Sequence, residues 1–64
     1  MKDLMKIIQW RDEIAEAEYT ISRLILAEQL AVDEENYEKA QLMLLERAKI
    51  IRRKKYLTTK INNA

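Results

Sequence analysis

Apolar residues recur along the first half of the chain at alternating steps of three and four: Ile7, Trp10, Ile14, Ala17, Ile21, Leu24 and Ala31. That spacing holds one side of an α-helix against a neighbouring helix, and only Glu28 interrupts it. A second set, Leu4, Ile8, Ala15, Tyr19, Leu26 and Leu30, follows another side of the same helix. At roughly 100° per residue the two stripes lie more than about 90° apart around the axis. A helix with two apolar stripes calls for two neighbours. One can be a second helix of the same chain; the other has to come from elsewhere.

In the second half, Tyr37, Ala40, Leu44, Ala48 and Ile51 form one stripe, which Met43, Ile50, Leu57 and Ile61 widen to roughly 160°. Continued in sevens from Ile21, the first seam would pass through Glu28, Glu35, Leu42 and Lys49, whereas the apolar positions are Tyr37, Leu44 and Ile51. The register therefore shifts, and it does so beside a helix-start signal. Asp33 is a good N-cap, and Glu34 and Glu35 would fill a first turn that favours negative charge. Val32 and Tyr37 have the spacing of a hydrophobic staple. The pattern predicts an all-α, two-helix antiparallel hairpin forming a single domain over residues 1–64. Helix one covers about 3–31, the turn lies near residues 31–34, and helix two covers about 34–60. Residues 58–64, with Thr58, Thr59, Asn62 and Asn63, are expected to fray. The alternative is one continuous helix in a parallel coiled coil, since a stutter also shifts register.

Composition narrows the class. Gly, Pro, Cys, His and Phe are absent from the 64 residues. Without Gly and Pro there is little turn chemistry for a β architecture, and Ala, Leu, Glu, Lys and Arg favour helix. Without Cys and His there is no disulfide scaffold, zinc thiolate, thiol nucleophile or imidazole base, so neither an enzyme nor a cofactor is expected. The apolar run from Leu24 to Val32 is broken by Glu28 and falls far short of the roughly 20 residues that span a bilayer. The first six residues carry charges where a signal peptide needs an apolar run. A cytoplasmic protein without a membrane span is the expectation.

The net charge of +1 conceals a strong asymmetry: residues 1–46 carry eleven acids and five bases, residues 47–64 seven bases and no acid. In a hairpin, residues 11–18 would lie beside roughly 47–54, so that Asp12, Glu13, Glu16 and Glu18 meet Arg47, Lys49, Arg52, Arg53 and Lys54. In a parallel coiled coil like charges would stack, which favours the hairpin gently, because exposed pairs are worth about 0.2–1 kcal/mol each. The basic cluster Arg52, Arg53, Lys54, Lys55 and Lys60 is a candidate contact for phosphates of nucleic acid or another anion. The plainer reading is cations offsetting the dipole of a helix C-terminus. Trp10 and Tyr37 lie on core stripes and are expected to pack, while Tyr56 is the aromatic expected at the surface. Glu13, Glu16 and Glu18 read as a solvated acidic face rather than a carboxylate metal site, which in a bundle would draw on His. Glu28, an acid on the seam, is expected to fix register, with Arg47 of another chain as its candidate partner.

Asn36-Tyr37-Glu38-Lys39-Ala40, leading to Glu46-Arg47-Ala48, resembles the second helix of a tetratricopeptide repeat and the start of the UVR helical hairpin. The resemblance covers a short part of the chain, lacks the Arg-Asp of the UVR motif and implies only a hairpin helix. The uncovered stripe on helix one carries the functional expectation: a small non-enzymatic interaction protein that dimerises into a four-helix bundle and acts as a regulator, adaptor or inhibitor. Leu4, Ile8, Ala15, Tyr19, Leu26, Leu30, Met43, Ile50 and Leu57 are the expected interface with a second copy or a protein partner. A nucleic-acid-binding regulator using the basic C-terminal helix is the competing expectation.

Overall fold

The first helix starts at a clear signal. In the computed structural model, which describes residues 3–63, Asp3 is extended and its Oδ1 accepts from the N–H groups of Met5 at 3.1 Å and Lys6 at 3.4 Å. Two of the N–H groups that no helical carbonyl can reach are thereby satisfied. Helix α1 then runs Leu4–Asp33 and helix α2 runs Tyr37–Asn62. At 1.5 Å per residue they are about 45 and 39 Å long, and they lie side by side in a rod 52 × 14 × 11 Å across its Cα positions. The expected all-α hairpin is the fold, and among the described residues there is no strand.

The turn lies a few residues later than expected. Asp33 does not cap α2; it is the last residue of α1. Glu34 closes α1, its N–H donating to the Leu30 carbonyl at 3.0 Å. Glu35 follows in the left-handed region with φ +59°. Its N–H donates to the Val32 carbonyl at 2.9 Å, and that of Asn36 to the Ala31 carbonyl at 2.7 Å. These are the two bonds of a Schellman ending, with Glu35 in the place usually taken by glycine. Asn36 is the cap of α2, its Oδ1 accepting from the Lys39 N–H at 3.3 Å. With Asn36 as cap, Val32 and Tyr37 no longer have staple spacing, and both are exposed.

The α1 seam is the expected one. Ile7, Trp10, Ile14, Ala17, Ile21 and Leu24 are half-buried and Ala31 is 2% exposed. The face that α2 turns inward is one edge of the expected stripe, with Arg47 and Lys54 added to it. Its least exposed positions are Ala40, Met43, Arg47, Ile50, Lys54, Leu57 and Ile61, which alternate steps of three and four along the whole helix. Tyr37, Leu44, Ala48 and Ile51 are exposed instead. Their spacing reaches only Thr58 at the far end, whereas the observed register delivers Leu57 at 1% exposure and half-buried Ile61. Near the turn it buries Ala40, at 8% exposure, as α1 buries Ala31.

The expected fraying beyond residue 58 is corrected in the same region: α2 continues to Asn62. Leu57 and Ile61 anchor this last stretch on α1, and packing overrides the weak propensity of its polar residues. The hydroxyls of Thr58 and Thr59 donate to the carbonyls of Lys54 at 2.9 Å and Lys55 at 3.0 Å, so they stay satisfied within the helix. Ala64 lies outside the described residues.

Candidate protein-interaction surface

Among the described residues, three ion pairs join acids of α1 to bases of α2. Arg47 Nη1 meets Glu28 Oε1 at 3.0 Å, with side chains 22% and 26% exposed. The acid that interrupts one seam thus finds the base that interrupts the other, within the same chain and not in a second one. Arg53 Nε donates to Glu13 Oε1 at 3.0 Å, and Lys54 Nζ lies 3.3 Å from Glu18 Oε1. Glu13 and Glu18 therefore face bases of the expected stretch, as the charge asymmetry implies. Of the stretches expected to meet, 11–18 and 47–54, Glu13 and Glu18 do face Arg53 and Lys54, whereas Arg47 pairs further along α1 with Glu28.

Further cations are held by aromatic rings. Lys60 Nζ sits 5.4 Å from the ring centres of both Trp10 and Tyr56, and Arg53 Cζ is 5.4 Å from that of Tyr56. Such contacts are worth about 0.5–1 kcal/mol at exposed sites. The candidate anion cluster is thereby divided. Arg53, Lys54 and Lys60 are engaged within the hairpin, while Arg52 and Lys55 are exposed and, among the described residues, have no carboxylate within 4.0 Å. Trp10 is half-buried against α2, and Tyr37, expected to pack, is 64% exposed. Among the described residues no three His, Cys, Asp or Glu gather closely enough to hold a metal ion.

The expected interface residues separate into two groups. Met43, Ile50 and Leu57 face inward in the α2 seam, and Leu57 is too deeply buried to offer a surface to another molecule. Leu4, Ile8, Ala15, Tyr19, Leu26 and Leu30 are all exposed on α1, the five large ones between 53% and 70%. Arg23 Nη1 donates to the Tyr19 hydroxyl at 3.1 Å and its guanidinium lies over the ring, so Tyr19 is held on this outer face. Ile25, Val32, Leu44 and Ile51 flank the seam and are 39–46% exposed. Ile25 belongs to none of the stripes expected from the sequence. Its signal is the seven-residue spacing of Ile25 and Val32 on α1 and of Tyr37, Leu44 and Ile51 on α2, one step to the side of each seam.

No family model matches the chain, and neither a curated protein nor a solved structure is similar enough to it to count as a match. Among the described residues no helix is long and apolar enough to cross a membrane. The functional reading rests on this chain's own surface.

Proposed function

We propose that the protein is a non-enzymatic interaction module, a helical hairpin that works as a homodimer and acts as a regulator, adaptor or inhibitor of a larger protein. The exposed α1 stripe carries the reading: Leu4, Ile8, Tyr19, Leu26 and Leu30 are each more than half exposed along one face of a rod. Soluble monomers rarely leave an apolar strip of this extent uncovered. Light scattering at micromolar concentration tests it, with a dimer expected and a stable monomer as the contrary result.

A nucleic-acid-binding regulator is the second reading. It is favoured by Lys49, Arg52 and Lys55, three exposed cations at steps of three on α2. A duplex whose mobility shifts at low salt and is released as salt rises would support it. No shift at low salt would leave the interaction module alone.

A further inference from the structure

The exposed stripe of α1 has the same spacing read from either end. Its members, Leu4, Ile8, Ala15, Tyr19, Leu26 and Leu30, are separated by steps of four, seven, four, seven and four. At roughly 100° per residue all six fall within an arc of about 80°. We infer, resting on the homodimer reading above, that two copies pair antiparallel through this stripe, with the two-fold axis near residue 17 and the α2 helices outside. Turned end for end, Leu4 falls opposite Leu30 of the second copy, Ile8 opposite Leu26, and Ala15 opposite Tyr19. The small residue meets the large one at the centre. A parallel pairing in register would set Ala15 against Ala15 and Tyr19 against Tyr19, a void beside a collision. A two-fold contact requires a patch that complements itself, and this one does.

The relief of the surface agrees. Arg23, Leu26, Ala27 and Leu30 border a shallow depression of about 310 Å³ on α1. Residues at i, i+3, i+4 and i+7 form the hole that receives one side chain of a facing helix. In the antiparallel register Ile8 of the second copy lies over its middle.

The charges at the two ends of the whole rod agree with the same orientation. Residues 28–38, around the turn, hold five acids and no base. At the other end of the rod, residues 49–63 hold six bases and no acid, against five acids and two bases on the facing residues 3–18. Antiparallel pairing sets the acidic turn of one copy at the end of the rod where the other carries its bases, which lie one helix further out on α2. Parallel pairing would bring the two acidic turns together.

The exposed area of this thin rod leaves room for a neighbour of this size. The hairpin has 5360 Å² of accessible surface, whereas a compact monomer of 7.7 kDa has about 4,300 Å². The excess, roughly 1,000 Å², is comparable to the ~800 Å² that each partner buries in a standard interface.

Because the chain has no cysteine, single introduced cysteines report pairing directly. Ile8→Cys and Leu26→Cys proteins are prepared separately, then tested alone and mixed with a short bis-maleimide under conditions of free exchange. The expected result is a cross-linked dimer in the mixture, with little in either protein alone. Two copies of Ile8→Cys would lie about 27 Å apart along the axis at 1.5 Å per residue. Efficient self-linking of each variant would overturn the antiparallel arrangement and leave the homodimer standing. Dimers by sedimentation with no cross-link in any sample would place the interface elsewhere and overturn the inference alone. Monomers throughout would overturn both. If circular dichroism shows lost helicity in either variant, Leu4→Cys with Leu30→Cys repeats the test at the ends of the stripe.

Discussion

The two faces of α1 are alike in sequence and opposite in fate. Both carry isoleucine, leucine, alanine and one large aromatic at helical spacing. The inner face, from Ile7 to Ala31, lies against α2, while the outer face, from Leu4 to Leu30, lies in the open. Apolar content does not separate them; their exceptions do. The inner face offers Glu28, and α2 answers with Arg47 at 3.0 Å. It buries the small Ala31 near the turn, and α2 buries Ala40 at its own start. The lesson is that periodicity shows a helix face to need a neighbour, and the irregular positions show which neighbour fits.

The sharpest way to break that contrast is to truncate one leucine on each side of the problem. Leu57→Ala, at 1% exposure in the seam, should destabilise the hairpin by about 2–4 kcal/mol, as large-to-small changes in packed sites do. Leu26→Ala on the outer face should change the hairpin itself by less than about 0.5 kcal/mol, once melts are extrapolated to low protein concentration. Urea melts over a range of concentrations measure both. Equal losses at the two sites, independent of concentration, would erase the distinction between covered and uncovered faces.

The polar exceptions come next in size. Because the Glu28–Arg47 pair is about three-quarters buried, either single alanine change should cost roughly 1–2 kcal/mol, between the figures for exposed and buried pairs. A double-mutant cycle should give this pair a larger coupling than Glu13–Arg53, whose side chains are 44–54% exposed and should couple by about 0.2–1 kcal/mol. Equal couplings would mean that the seam position of Glu28 and Arg47 confers nothing special.

The turn gives the smallest effects and the clearest signs. Asn36→Ala removes the cap of α2 and should cost about 1 kcal/mol. Asp33→Ala should cost nothing and stabilise by a few tenths of a kcal/mol, since it removes an acid from the negative end of α1. Glu35→Gly relieves a left-handed residue and should stabilise by roughly 0.5–1 kcal/mol. Thermal melts that showed Asp33→Ala as the destabilising change would move the cap back to where the acidic run suggests.

How far the sequence could be read follows the same contrast. The α1 seam was legible because its apolar residues keep strict three-and-four spacing with a single interruption. The α2 seam was legible only as one edge of a wider stripe, because Tyr37, Leu44 and Ile51 are more conspicuous than a seam containing Arg47 and Lys54. Those two cations sit inward only because Glu28 and Glu18 wait on α1, a fact of pairing that no single-helix pattern contains. The turn was located to within a few residues. Both Asp33 and Asn36 are capable caps, and the choice between them depends on the bonds that Glu35 and Asn36 make back into α1. Of the interface expected from the sequence, the α1 stripe lies at the surface and the α2 members do not, since any residue that α2 needs for its own hairpin is withdrawn from other partners.

The most direct test of the outer face is sedimentation equilibrium of the wild-type chain beside Leu26→Glu at micromolar concentration, with circular dichroism of both. The expected result is a wild type at twice the 7.7 kDa chain mass and a variant at the chain mass that keeps its helicity, because a charge on the outer stripe blocks pairing without entering the seam. A wild type that sediments as a monomer throughout, or a Leu26→Glu variant that remains dimeric, would contradict it.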